Sequence, residues 1–198
     1  MAANTYLAPE ERAALESVRV GIAGAGGLGS NCAMHLVRSG VKHITIADFD
    51  VVNESNLNRQ FFFRDQIGQK KVEAIKANLL RIEPDADIRA VDIRLDVSSA
   101  REIFADCGIV VEAFDAVDAK VMLVSAFASS GKKLVTASGL AGWGRSNAMR
   151  VRKMGNIVAI GDGETSVGDG AAPVSPRVGI AAAMEANAVV SLLLGCEP

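Results

Sequence analysis

Val18-Arg19-Val20-Gly21-Ile22-Ala23-Gly24-Ala25-Gly26-Gly27-Leu28-Gly29 is the stretch on which the fold turns. Residues 18–23 are a short apolar run that reads as a strand. Gly24, Gly26 and Gly29 fit G-x-G-x-x-G, and Gly27 adds a further small position. A turn of this kind lets backbone approach a phosphate closely, and the helix behind it aims partial positive charge at the same point. That helix is expected near residues 30–38, where Ala33, Met34 and Val37 share one face, with Gly40 as its stop. Residues 44–47 form the next strand. Asp48 at its end stands where a carboxylate accepts hydrogen bonds from ribose hydroxyls. Strand, glycine turn, helix, strand and acid together indicate nucleotide binding; by themselves they would suggest NAD.

Outward from this unit the alternation continues. Asp65 is a plausible cap for a long helix reaching about residue 81, broken before Pro84. Residues 88–91 read as a strand, 98–105 as a short helix, 109–112 as a strand, 116–129 as a helix and 134–137 as a strand. The pattern predicts an α/β, Rossmann-like architecture: a mostly parallel sheet with helices on both faces. The last third departs from it. Residues 147–152 and 156–160 flank Met154-Gly155 and read as an antiparallel hairpin, a C-terminal extension of the sheet. Residues 161–176 are rich in Gly and acidic groups and read as a crossover or lid. Ser175 as N-cap and Pro176 as first helical residue open a final helix that runs to Leu194 before Gly195. With no repeat and no linker, residues 1–198 read as one domain.

Composition removes several function classes. Among 198 residues, 21 Lys and Arg stand against 23 Asp and Glu, a formal charge of −2. Such a chain has no general basic field for a nucleic-acid backbone. No apolar run approaches the ~20 residues that span a bilayer. The N-terminus is too polar for a secretory signal, so the expected location is cytoplasmic. Three cysteines (Cys32, Cys107, Cys196) form no C-x-x-C pair, which argues against a disulfide framework or a structural zinc site. The two histidines, His35 and His43, belong to no H-E-x-x-H motif, and there is no G-x-S-x-G nucleophile elbow. The single tyrosine, Tyr6, cannot build a Tyr-x-x-x-Lys hydride-transfer site.

The residues after Asp48 turn the reading away from NAD. A dinucleotide enzyme has no use for Arg59, Lys70 and Lys71 at this point of the chain. A triphosphate has: its negative charge must be held and partly neutralised while an anion approaches. Taken singly, Arg59 would pass for a loop residue and the lysines for a solvated helix face.

The segments GAGGLGSN (24–31), ADFDVVNESNLNRQ (47–60), IGQKKVEA (67–74) and VVEAFDAVDAK (110–120) together resemble the HesA/MoeB/ThiF family, the bacterial relatives of ubiquitin-activating enzymes. A weaker likeness runs through SGLAGWG (138–144) and PRVGIAAAMEAN (176–187), so the resemblance covers nearly the whole chain. The short length, the SGLAGWGRSN segment and the missing zinc cysteines look most like compact ThiF proteins of thiamine biosynthesis. The resemblance implies an ATP- and Mg²⁺-dependent enzyme that adenylates the C-terminal Gly-Gly carboxylate of a small ubiquitin-like, ThiS-like sulfur carrier and releases pyrophosphate. It implies that the glycine turn and Asp48 hold the nucleotide. Asn56 and Arg59 face the phosphates with Gln60 in support, Lys71 of the G-Q-x-K motif contacts them, and Asp115 binds Mg²⁺. Arg59, Lys71 and Asp115 are then the catalytic set. For Asp115, a helix N-cap is the plainer alternative, and the two roles are compatible. No general base is required, because a carboxylate is already ionised near neutral pH.

The chain also departs from the family. It lacks the two C-x-x-C pairs of many relatives, so no zinc is expected. Arg12 is the nearest match to an N-terminal arginine that acts across a dimer, without the usual flanking pattern. Ala116 replaces the usual Asn after Asp115, and Lys120 matches a basic position beyond it. No cysteine lies in 161–176, which implies a separate sulfur donor. Arg177 sits in the first turn of the last helix, where a cation opposes the helix dipole, and is a candidate for carrier-tail binding. A homodimer is expected from the resemblance and the apolar fraction. The competing readings are an NAD-dependent oxidoreductase, which leaves SNLNRQ, Lys71 and Asp115 unexplained, and a carrier-binding scaffold without chemistry. A nucleic-acid-borne carboxylate is a further substrate class, disfavoured by the charge of −2.

Overall fold

The computed structural model describes residues 6–166 and 170–198. The central strands are β1 (Arg19–Ala23), β2 (His43–Asp48) and β4 (Ile109–Glu112), almost wholly buried. Strands buried on both faces read as continuous apolar runs, the mark of a parallel sheet covered by helices. β3 (Asp87–Asp92), β5 (Lys133–Ala137), β6 (Arg150–Met154) and β7 (Ile157–Gly161) complete a seven-stranded sheet in the order β3-β2-β1-β4-β5-β7-β6. All neighbours pair in parallel except β6 with β7. The expected architecture is thus observed, including the antiparallel pair at the end. Gly155, at φ 62°, makes the hairpin turn.

Alternate residues of β4 feed two cores. Ile109 and Val111 join the core under α2 (Gly27–Ser39), α3 (Lys71–Ile82) and α6 (Ser175–Leu193). Val110 joins the core under α4 (Val97–Ile103) and α5 (Val117–Phe127), where Phe104 and Phe127 meet at 6.4 Å between ring centroids. α2 ends at Gly40, left-handed at φ 106°, as expected from the sequence.

Several boundaries differ from expectation. The helix assigned an Asp65 cap begins at Lys71 with Lys70 as N-cap, and Asp65 lies in a separate 3-10 turn, Arg64–Gln66. Gly68, at φ 87°, breaks the chain between them. The residues after it turn back onto the 50–52 segment, with Val52 N donating to Gln69 O and Lys71 N to Asp50 O. The last helix is capped by Val174, not Ser175, since Val178 N closes the first turn on Val174 O. Ala116, not Asp115, is the N-cap of α5. A helix not expected from the sequence, α1 (Pro9–Ser17), starts on Pro9 and docks through buried Leu15. The strand expected over 147–152 begins three residues later, after a 3-10 turn, Ser146–Ala148. Residues 167–169 of the expected crossover lie outside the described residues. Among the described residues, no helix is long and apolar enough to cross a membrane.

One core carboxyl lacks both of the partners that burial demands. Glu185 on α6 is fully buried, and neither carboxyl oxygen has a hydrogen-bond partner among the described residues. Burial pushes its pKa well up, the charge of Glu112 adds to this, and Lys120 opposes it. The folded protein therefore keeps the proton that an unfolded Glu loses near pH ~4.3. The contribution of this group is at its fullest below that pH and is lost as pH rises toward the folded-state value, by at most about 1.4 kcal/mol per pH unit. Glu185→Gln is expected to raise Tm relative to the parent at pH 8 and much less at pH 5. A calorimetric Tm difference that is the same at both pH values would contradict this.

Candidate functional site

The strand order reverses between β1 and β4, so the chain leaves their carboxyl ends in opposite directions and opens a crevice there. The glycine turn fills the floor of that crevice because its own packing permits nothing larger. A Cβ on Gly29 would fall 1.9 Å from Gly24 O, and one on Gly24, itself at φ 103°, 2.8 Å from Ala113 O. A Cβ on Gly27 would meet Val178 Cγ1 at 3.0 Å. Gly26 differs: its nearest neighbour would be Gln60 Nε2 at 3.9 Å. No close neighbour requires glycine there, and the space in front of it is open to a ligand. Gly26 is also the N-cap of α2 and brings no side-chain acceptor to the first-turn N–H groups, which suits an anion at the helix start.

Asp48 closes one side. Its Oδ2 accepts Ala25 N at 2.7 Å and its Oδ1 accepts Asp50 N at 2.8 Å, which orients the carboxylate beside the turn. The segment after it is stitched to α2 by two residues that the sequence analysis did not single out. Asn31 Nδ2 donates to Gly27 O (2.7 Å) and Arg59 O (2.8 Å), and Ser30 Oγ donates to Gly26 O and accepts Phe61 N. Both lie in the GAGGLGSN stretch, where polar residues on a buried first turn were the available signal.

This stitching lays Arg59 along the glycine turn, its Cγ 3.6 Å from the Cβ position of Gly27. The Arg59 guanidinium donates to Ser55 O and Asn58 Oδ1, and no carboxylate pairs with it among the described residues. Gln60 is buried with its Oε1 unpartnered among them. Asn56 serves the local turn, its Oδ1 accepting Asn53 N at 2.9 Å. Asp115 follows β4 through Ala113 and Phe114, which pack on Gly24. Its side chain is exposed and has no hydrogen bond or ion pair among the described residues.

Lys71 is not the solvated helix-face lysine of the plain reading. Its side chain is buried, and Nζ pairs with Asp50 Oδ2 at 2.7 Å. It reaches the turn only through Asp50, whose own N–H donates to Asp48. Asp50 lies in the ADFDVVNESNLNRQ segment, but its pairing with Lys71 was not legible there because the partner lies 21 positions away. Arg177 makes no hydrogen bond to the glycine turn and is not the solvated cation of the plain reading. It is buried, paired with Asp162, and donates to Gly144 O at 2.6 Å. Burial pushes the Asp162 carboxyl up, but the Thr165 and Glu164 N–H groups and the Arg177 charge hold it below the usual range. That pairing explains a cation in the first turn of a helix. Arg177 lines a cleft of about 230 Å³ together with Ala141, Gly142, Trp143, Arg145, Thr165, Gly170 and Ala171.

ATP and Mg²⁺ fit these residues on two counts. The Gly26 opening and the unpaired Arg59 suit a polyphosphate. The free carboxylate of Asp115 suits a cation that takes most of its oxygens from water and phosphate. Among the described residues no three His, Cys, Asp or Glu side chains gather for a metal ion, so phosphate oxygens would have to complete such a site.

The fold and crevice define a doubly wound nucleotide-binding domain with an acid, an uncompensated arginine and a free carboxylate around its glycine turn. The sequence matches the ThiF family over residues 2–198, and the chain belongs to that family. Among curated relatives, it is 34% identical to the adenylyltransferase and sulfurtransferase UBA4 of Candida glabrata over 71% of this chain and 33% of that one. It is 30% identical to the protein of the same name from Yarrowia lipolytica over 91% and 47%. With the molybdopterin-synthase adenylyltransferase of Salmonella typhimurium it shares 37% over 58% and 46%. The chain thus spans between a third and a half of the length of these relatives. Among solved structures, the fold is similar to E. coli tRNA N6-threonylcarbamoyladenosine dehydratase in complex with AMP (TM-score 0.87, 19% identity, 98% of this chain and 93% of that one). It is also similar to E. coli MccB with AMPCPP (TM-score 0.77, 21% identity, 95% and 59%).

The glycines separate packing from ligand approach. Gly29→Ala is expected to cost about 3 kcal/mol or more of stability, because backbone must move. Gly26→Ala should stay within about 0.5 kcal/mol of the parent, yet lose the thermal stabilisation that ATP confers. Equal stability losses in the two variants, measured by denaturant titration, would refute this distinction.

Proposed function

We propose that residues 1–198 act as one ATP-dependent adenylation unit that activates the C-terminal Gly-Gly carboxylate of a ubiquitin-like sulfur carrier. The observation that carries this reading is the uncompensated Arg59 laid along an open glycine turn, with the free carboxylate of Asp115 beyond the neighbouring strand. The carrier is of ThiS type and serves thiazole formation in thiamine biosynthesis; the SGLAGWGRSN segment and the absence of C-x-x-C pairs support that choice. The names of the relatives, adenylyltransferases of molybdopterin synthase and of the UBA4 type, support the chemistry more than the particular carrier.

The protein's part is positioning and charge. The glycine turn and the start of α2 hold the phosphates, and Asp48 holds the ribose. Asn56 and Gln60 frame the SNLNRQ loop, and the unpartnered Oε1 of Gln60 waits for a donor. A carboxylate oxygen of the carrier forms a bond to the α-phosphorus as the bond from that phosphorus to pyrophosphate breaks. No proton moves, so the scarcity of histidine is no obstacle. Arg59 and Lys71 gather the charge that develops on the phosphoryl and pyrophosphate oxygens. Mg²⁺, held by Asp115, would supply further neutralisation of the triphosphate. Arg177 lines the cleft beside Trp143 and Arg145, with its buried Nε still unpartnered among the described residues; a Gly-Gly tail needs such a narrow path with polar groups at its wall.

Sulfur is delivered by a separate donor. Burial pushes Cys32 well above the ordinary thiol range, and the carboxyl of Glu185 adds to it. Burial likewise brings Cys107 up to about 11. Neither is a thiolate near neutral pH, and Cys196 lies beyond the last helix. The unit works as a homodimer in the cytoplasm, where ATP is supplied; sedimentation at twice 20.7 kDa is the matching observation.

The decisive experiment is carrier-dependent exchange of labelled pyrophosphate into ATP, run against a panel of Gly-Gly-ending proteins with tRNA and NAD as controls. Exchange with a ThiS-type carrier is expected. Exchange with none, or with tRNA alone, would sink the proposal. Arg59→Ala, Lys71→Ala and Asp115→Ala should each lower exchange by about 10²–10³ while folding normally; wild-type rates in all three would show the assignment to be wrong.

Replacing Cys32, Cys107 and Cys196 together by Ala should leave exchange intact. Mass spectrometry should find no thiol-sensitive enzyme–carrier adduct. Such an adduct, lost in Cys196→Ser, would make the tail part of the mechanism.

A further inference from the structure

The turn that presents Asp115 rests on a buried charge network that the proposed reaction does not itself use. Glu112, the last residue of β4, is fully buried. A carboxylate there is tolerated only if every oxygen is matched. Oε1 accepts Phe114 N at 2.8 Å and Lys120 Nζ at 3.1 Å. Oε2 accepts Lys120 Nζ at 3.0 Å and Thr136 Oγ1 at 2.5 Å. The ammonium of Lys120 makes one further bond, to Ala137 O at 2.9 Å. All of its three protons are thereby used.

The network joins four pieces of backbone: the end of β4, the Phe114 amide, the first turn of α5 and the end of β5. Phe114 immediately precedes Asp115. The next residue, Ala116, caps α5 without any side-chain bond. Asp115 itself has no side-chain partner among the described residues, so only the backbone sets where its carboxylate stands. That backbone is held on one side by the packing of Ala113 and Phe114 on Gly24, and on the other by Glu112 and Lys120. An apolar trio of the same volume would fill this space at comparable stability. Such a trio would not hold the Phe114 N–H or the first turn of α5 in one place.

We propose that Glu112, Lys120 and Thr136 are positioning residues that fix the Asp115 turn and thereby set the affinity of the site for a divalent cation carried by ATP. The inference rests on the reading of Asp115 as the metal-binding carboxylate. Removing an outer partner of a metal ligand costs about 10–100-fold in metal affinity. Lys120 and Glu112 should act as a unit, since removing one strands the charge of the other.

Calorimetric titration without carrier tests this, comparing ATP in excess chelator with Mn²⁺·ATP. The variants are Thr136→Val, which deletes one bond and leaves the ion pair, Lys120→Arg, and the double variant Glu112→Gln/Lys120→Met, which removes both charges together. Thermal melts accompany each. The expected result for Thr136→Val and the double variant is unchanged affinity for ATP in chelator and about 10-fold weaker binding of Mn²⁺·ATP. Lys120→Arg should lie between them and the parent. A purely structural brace would lower Tm and leave the metal-dependent difference at its parental value, which would overturn the proposal. Asp115→Asn serves as reference. If it too keeps parental Mn²⁺·ATP affinity, the reading of Asp115 fails and the brace has nothing to position. If Asp115→Asn loses that affinity while Thr136→Val and the double variant keep it, the brace alone is rejected.

Discussion

Everything at the carboxyl edge of this sheet is arranged around one close approach, that of Gly29 to the carbonyl of Gly24. With 1.9 Å between that oxygen and the place a Cβ would occupy, the β1–α2 turn folds tightly against itself. The tightness brings the start of α2 next to the end of β1 and leaves the first-turn N–H groups without a side-chain acceptor from the cap. Asp48 accepts Ala25 N within this compact turn. Ser30 and Asn31, on the first turn of α2, then catch the 55–61 segment and lay Arg59 across the same turn. Fold and site are therefore one packing problem: the glycines make the helix start accessible, and the helix start places the cation.

The charges of the site are graded by how they are compensated. Arg59 is matched only by neutral oxygens among the described residues. Lys71 is buried and already paired with a half-exposed Asp50. Desolvating an ammonium is costly unless a partner stands close, so Asp50 is the condition for having Lys71 at the start of α3. A carboxylate that faces solvent can later share the ammonium with a more highly charged ligand. Two further ion pairs, Glu112–Lys120 and Asp162–Arg177, lie deeper along the same edge. Each ties the end of a strand to a loop and the first turns of a helix. Buried pairs add little net stability over apolar residues, but they admit fewer arrangements. Glu185 is the contrast: without a hydrogen-bond partner among the described residues, the same burial that the pairs tolerate keeps it protonated and makes it a pH-dependent burden on the core.

Much of this was legible in the linear order of residues. Apolar runs between glycine turns and periodic helices predict a parallel sheet because strand and helix periods are set by the backbone, and the glycine turn with Asp48 is a local pattern within about thirty positions. The helix stop at Gly40 and the turn at Gly155 both rest on glycine's freedom at positive φ. Boundaries failed where a longer-range contact won. Asp65 looked like a cap, but Gly68 and the pairing of 50–52 with 68–71 moved the start of α3 to Lys71. Ser175 looked like an N-cap, but there the reason was local: the Val178 N–H closes the first turn one residue earlier, on Val174 O.

The sequence by itself determined the strand and helix periodicities, the glycine turn and the identity of the groups that carry charge, because each depends on neighbours a few residues away. Only the tertiary structure decided which of those charges are free. Lys71 is paired by a residue 21 positions earlier, Arg177 by one 15 positions earlier, and Glu112 by Lys120 and by Thr136, 24 positions on. Arg59 and Asp115 are left without an opposite charge among the described residues. Whether a cation is available to a ligand depends on the solvent it has lost and the partners it has met, and both are properties of the packed interior.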